Sequence, residues 1–160
     1  MITTFEKVLT FRQNAVRYKT PYAGKYSPFL WAIEKEMTRT KPIQQAWDDI
    51  VSEIDQKYAE VKDGFYVRDE KDRYKFKAEN EKKRNEEIKK ALQLTTYRDD
   101  AGRDVVIDIE PYIIPDIREG VFSLLPKDID FSWWEVLSPF VLPEIDDAIL
   151  EKLYERDKKK

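Results

Sequence analysis

At 160 residues the chain is long enough for one domain with a true core and too short for two comfortable ones. Charged residues make up 38% and hydrophobic residues 41%, too apolar for a disordered chain and well suited to helices with one wet face. A net charge of −3 leaves no global basic excess for nucleic acid. The absence of cysteine and histidine excludes disulfides, thiolate and imidazole metal sites, and His-dependent triads.

Residues Thr3 to Val16 read as a first helix. Thr3 or Thr4 can cap it, and Phe5, Val8, Leu9 and Ala15 roughly follow the helical period. Pro21 and Gly24 break the pattern. Ser27-Pro28 then pairs a hydroxyl N-cap with proline at the first helical position. Leu30, Ile33 and Met37 continue one apolar stripe, on which Trp31 and Trp47 are expected to join the core. Pro42 is expected to interrupt or kink this helix, because proline removes one helical hydrogen bond.

From Ile43 the apolar residues Trp47, Ile50, Val51, Ile54, Tyr58 and Val61 recur at steps of three and four. That predicts a helix of about 20 residues, about 30 Å long, ended by Asp63-Gly64 with Gly64 at its left-handed C-terminal position. The stretch "FYVRDEKDRYKF" predicts a short hairpin, with Phe65 and Val67 against Tyr74 and Phe76 and a charged turn at Asp69–Asp72. A helix over Ala78–Leu94 follows, nearly all polar until Ile88. Its interleaved Glu79, Glu81, Lys82, Lys83, Arg84, Glu86, Glu87, Lys89 and Lys90 are expected to form a solvated face or to lie along a partner.

A second hairpin is predicted at "LTTYRDDAGRDVVIDI", turning at Asp100-Ala101-Gly102. There Val105, Ile107 and Ile109 alternate with Asp104, Val106 and Asp108. Beyond Glu110, prolines cut the chain into short pieces. "DIREGVFSLL" reads as one short helix, Ser132 and Glu135 as a capping box, and Pro143 to about Arg156 as a last amphipathic helix. No internal repeat is expected.

Carboxylate pairs are plentiful, and Pro115-Asp116 with Asp157-Lys158-Lys159 superficially matches the pattern of a Mg²⁺-dependent nuclease. Helix caps, turns and solvated faces account for these acids better. The four glycines stand apart, so no phosphate-binding loop is formed, and no serine sits in a nucleophile elbow. No enzyme activity, cofactor or metal is expected. The longest apolar run is far shorter than the roughly 18 residues a membrane span needs. The N-terminus lacks a basic leader and apolar block, so a soluble protein without a membrane partner is expected.

The segment 26–94, carried by Lys57-Tyr58-Ala59, Asp63-Gly64 and Tyr74, resembles a family of small bacteriophage helical-hairpin proteins of unknown function. The resemblance implies a helix, an acidic-glycine turn, a short hairpin and a Glu/Lys-rich helix, and supplies no catalytic residues. The layout is also similar to a prefoldin subunit, as an architectural analogy.

These readings converge on a mostly α, α+β fold in a single domain, 1–157, with a frayed tail at 158–160. An antiparallel helical hairpin, 41–94, would carry the tip 64–76 and rest on a base formed by 1–40 and 95–157. The expected function is a non-enzymatic interaction or assembly protein, phage-encoded, acting in the cytoplasm of a bacterial host or in the virion. A protein partner, self or heterologous, would meet Phe65, Tyr66, Val67, Tyr74 and Phe76 at the tip, and Phe131, Trp133, Trp134 and Phe140 in an aromatic segment, unless the tryptophan pair packs in the core of the base. A homo-oligomer is one form this could take, and nucleic acid is not expected. The alternatives are a monomeric inhibitor of a host or defence protein and the carboxylate nuclease.

Overall fold

The computed structural model describes residues 1–19, 28–114, 117–122, 125 and 131–158, with all their side chains except those of residues 18, 19, 118, 131, 133 and 157. In chain order these form helices α1 (Phe5–Lys19) and α2 (Pro28–Tyr58), strands β1 (Val61–Lys62) and β2 (Phe65–Tyr66), and helix α3 (Ala78–Ala91). Strands β3 (Thr96–Arg98) and β4 (Asp104–Val106), a 3-10 turn at Ile117–Glu119, and helices α4 (Phe131–Leu137) and α5 (Asp147–Lys158) complete them. The class is α+β and mostly α, with two antiparallel strand pairs.

Thr4 caps α1 by accepting a hydrogen bond from the Lys7 amide at 3.4 Å. Helix α2 opens on Pro28, as proline's fixed φ favours, while Ser27 lies outside the described residues. The expected break at Pro42 does not occur: α2 runs through it for 31 residues. Proline inside a helix costs about 3 kcal/mol. Burial of Phe29, Ala32 and Ile33 before it, and of Ile43 and Ala46 after it, continues the helical period on both sides. The helix stops at Tyr58, five residues short of Asp63.

Two compact units divide the chain. One consists of Met1, Leu9–Lys41 and Asp108–Lys160, the other of Ile2–Val8 and Pro42–Ile107. In the first, Phe11 stacks on Phe140 with ring centroids 4.3 Å apart and planes 15° apart. Residues 112–114 run beside 140–141, the Tyr112 and Ile114 amides donating to the carbonyls of Phe140 and Val141 at 2.9 and 3.0 Å. Asp146 accepts from the Ile149 amide at 2.8 Å and starts α5. Helix α4 begins at Phe131, which places Ser132 inside it, too far along to act as the expected N-cap. Of "DIREGVFSLL", expected as one short helix, Ile117–Glu119 form a 3-10 turn, and the described residues 120–122 and 125 are not helical.

A polar cluster is buried in the same unit. Arg12 donates to the Met37 carbonyl at 2.6 Å and the Thr40 hydroxyl at 2.7 Å, and that hydroxyl donates to the Glu36 carbonyl at 2.7 Å. The Glu36 side chain is wholly buried. Its Oε1 accepts from Arg39 at 3.0 Å, while its Oε2 has no hydrogen-bond partner among the described residues. Burial pushes this carboxyl above the ordinary glutamate value, and Arg39 pulls against that rise.

In the second unit, Phe5 packs on Trp47 at 5.3 Å. The amides of Thr3, Phe5 and Glu6 donate to the carbonyls of Ile107, Leu94 and Leu92. Val8, Ile43, Ala46, Ala91 and Ile107 are buried around them. Helix α3 has almost no apolar face, and Ala91 is its one buried residue among those described. Charge links it to α2 instead. Arg84 reaches Asp55 at 2.7 Å, and Glu87 accepts from both Lys57 and the Tyr58 hydroxyl. Strands β3 and β4 pair Thr96 with Val106, Tyr97 with Val105 and Arg98 with Asp104, as the alternation predicts.

Candidate functional site

The tip begins where α2 ends. Asp63 and Gly64 both have positive φ, 54° and 81°, so they form the two-residue turn whose twist matches paired strands. Gly64 therefore turns a hairpin rather than ending a helix, and β1–β2 pair Val61 with Tyr66 and Lys62 with Phe65. The predicted pairing of Phe65 and Val67 with Tyr74 and Phe76 is correspondingly revised. The chain makes two successive turns that share the middle segment, and the second is bridged at Arg68 and Tyr74. A closed ring of backbone bonds locks the three passes: Glu60 N–H to Lys75 O at 2.8 Å, Lys75 N–H to Val67 O at 3.0 Å, and Val67 N–H to Glu60 O at 2.8 Å.

Asp69 organises the second turn. Its Oδ1 accepts from the Lys71 and Arg73 amides at 2.8 and 3.0 Å, and its Oδ2 accepts from the Arg73 Nε at 3.0 Å. Those donors, the Arg73 amide first, hold its carboxyl below the usual aspartate value. The β3–β4 turn repeats the device. Asp99 accepts from the Ala101 and Arg103 amides at 3.0 and 2.9 Å and from the Arg103 Nε at 3.0 Å. Asp72 and Gly102 occupy the same left-handed position in the two copies, with φ of 59° and 75°. The shared signature, Arg-Asp followed after three residues by Arg at 68–73 and 98–103, is a repeat that the sequence reading missed. An Arg four residues after an Asx-turn Asp, with Gly or Asp before it, was the available signal.

The tip residues divide by exposure. Phe65 is 78% exposed and Tyr66 43%, whereas Val67, Tyr74 and Phe76 are half-buried. Tyr66 meets Tyr74 edge-on at 5.2 Å, and the Arg68 guanidinium covers the Tyr74 ring at 4.3 Å. Val61, first assigned to a helix, stands cross-strand from Tyr66 and is 57% exposed. Val61 and Tyr66 thus share one face of the β1–β2 pair, and Phe65 stands with Lys62 on the other. A groove of about 570 Å³ lies beside the Asp69 turn, lined among others by Asp55, Arg68, Tyr74, Phe76, Glu81 and Arg84. At the foot of the tip, the hydrogen bonds to Glu87 raise Lys57 and Tyr58 above their ordinary values. The same bonds lower Glu87.

The second predicted site is not brought to the surface. Trp134 is 1% exposed and donates its indole N–H to the Pro143 carbonyl at 2.9 Å; Phe140 is buried against Phe11. Both are core because Trp134 is held against Phe122 and Pro143, and Phe140 against Phe11, all in one unit. The side chains of Phe131 and Trp133 lie outside the described residues. Trp31, expected in the core, is 50% exposed. It meets Tyr112 edge-on at 4.9 Å, and Lys35 lies over both rings.

Among the described residues no three acidic side chains gather as a metal site, and no helix is long and apolar enough to cross a membrane. Pro115, Asp116, Lys159 and the Asp157 side chain lie outside those residues. Compared with protein-family models, curated proteins and solved structures, the chain shows no match.

Proposed function

We propose that the chain is a non-enzymatic, phage-encoded interaction or assembly protein that presents residues 58–76 to a protein partner. The observation that carries this reading is Phe65. A phenyl ring 78% exposed to water is retained on a hairpin held by a two-residue turn and a closed ring of backbone bonds. Rigid aromatic side chains anchor interfaces, because they bury a large area with little loss of side-chain freedom. The resemblance of residues 26–94 to phage helical-hairpin proteins supports the origin, and with it action inside a bacterial cell or in the virion.

Phe65→Ser and Val61→Ser alter exposed positions, so the far-UV circular dichroism should remain that of the parent. Cross-linked or co-purified protein should disappear with either substitution. Association that survives both would remove the tip from the reading. The inhibitor of a host or defence protein is the same surface with a different occupant; it is distinguished by a one-to-one complex formed by a monomeric chain.

A further inference from the structure

We propose that the tip pairs with the tip of a second copy, the Phe65 ring of each chain entering the groove of the other about a twofold axis. The inference rests on the reading of the tip as a binding surface and names its occupant. Knob and groove belong to the same compact unit and are contributed by neighbouring stretches of chain, so one twofold contact can satisfy both at once. An isologous contact of this kind closes on itself and stops at a dimer.

The chemistry of the groove suits the knob. Its walls present the Tyr74 and Phe76 rings together with the Arg68 and Arg84 guanidiniums, which lie over those rings at 4.3 and 5.5 Å. A third aromatic ring entering there meets apolar edges and the flat faces of guanidinium groups, both of which attract π-systems. A cavity of about 570 Å³ has room for a phenyl ring and its flanking residues.

Charge selects the orientation. The groove lining holds four carboxylates, Asp55, Asp69, Asp72 and Glu81, against three guanidiniums, Arg68, Arg73 and Arg84. Arg84 pairs with Asp55, Arg73 with Asp69 and Arg68 with Asp72, so Glu81 is left over. On the knob, Lys62 pairs across the strands with Phe65 and is exposed, and no ion pair involves it among the described residues. Seating Phe65 brings one spare cation to one spare carboxylate, twice in the dimer. Each aromatic side chain buries roughly 150–250 Å². Two knobs and the two walls they cover therefore bury roughly 600–1,000 Å², the size of a weak, reversible contact.

The test is the molar mass of the full chain by light scattering and sedimentation across a concentration series, at low and high salt. The parent should pass reversibly from monomer to dimer. Phe65→Ser should weaken this by roughly 30-fold for each anchor lost, roughly a thousandfold for the symmetric pair. Lys62→Glu and Glu81→Lys should each weaken it roughly tenfold, and the chain carrying both should recover to within about threefold of the parent. All three positions are exposed in the monomer, so unchanged circular dichroism certifies folding. A parent chain that stays monomeric throughout, or a charge-exchanged chain no better than either single variant, overturns the dimer. The tip reading fails separately: it falls if Phe65→Ser leaves cross-linking to other proteins unchanged.

Discussion

Replacing Phe140 with alanine separates two roles for the aromatic C-terminal segment. The ring is 1% exposed and lies parallel to that of Phe11, itself fully buried, at 4.3 Å. A buried phenylalanine removes roughly 150–250 Å² from water, and at about 25 cal/mol per Å² its loss, less what alanine retains, costs about 3–5 kcal/mol with the cavity included. Domains of this size are stable by about 5–15 kcal/mol, so the change should remove about a fifth or more of the total. A residue held in reserve for a partner would cost less than about 1 kcal/mol.

Because Phe140→Ala approaches the limit of stability, the stacking itself is better read from leucine. Phe11→Leu and Phe140→Leu each conserve most of the volume and should cost about 1–1.5 kcal/mol. The double variant should fall short of additivity by about 0.5–1.5 kcal/mol, the amount attached to an aromatic pair beyond its area. Urea denaturation followed by far-UV circular dichroism gives all four corners of the cycle. Additivity within about 0.3 kcal/mol, or an alanine variant as stable as the parent, would refute the stacked core.

Trp134→Phe should cost about 2–4 kcal/mol in the same assay, since it strands the buried Pro143 carbonyl and leaves a gap where the indole lay. Gly64→Ala should cost about 1 kcal/mol from backbone strain alone, because φ is +81° and an added Cβ meets nothing within 4 Å; a stabilised variant would contradict the turn. Glu36 titrates above the ordinary value when folded, so the folded chain binds more protons between the two values, and its stability falls as pH rises through them. Glu36→Gln should therefore gain stability relative to the parent as pH rises from the ordinary glutamate value through the raised one, and a constant difference would refute the buried carboxyl. Asp69 is shifted the other way. Amide-exchange protection at Lys71 and Arg73 should hold above the ordinary aspartate range, fade as pH falls through the lowered value, and be lost at every pH in Asp69→Ala.

The parts legible in the sequence were those written in period and punctuation. The alternation of Val105, Ile107 and Ile109 with Asp104, Val106 and Asp108 names the buried side of the second hairpin and its exit, and the structure buries Ile107 and Ile109 as that pattern requires. Thr4 and Pro28 mark the starts of α1 and α2 for local reasons that no tertiary contact overrides. Pro42 misled because a local cost was weighed without the burial on either side of it. Asp63-Gly64 misled differently: the dipeptide serves both as a helix stop and as a two-residue hairpin turn. Val61, read as the last apolar step of a helix, hid the first strand.

Exposure was the hardest property to read, since a tryptophan on an apolar stripe looks the same whether its neighbours cover it or not. Trp31 is exposed for that reason, meeting only Tyr112 and Lys35 among the described rings and cations, whereas Trp134, read as core or as docking surface, is held at Pro143 and Phe122. Phe65 is exposed where it stands, one residue beyond its turn and cross-strand from the exposed Lys62. Val67, Tyr74 and Phe76 are half-covered: Val67 joins the third pass of chain by backbone bonds, and guanidiniums lie over the Tyr74 and Phe76 rings. What the tip offers a partner is therefore set by the order of its two turns. Moving the register of β2 by one residue would send Phe65 to the face that Val61 and Tyr66 now share.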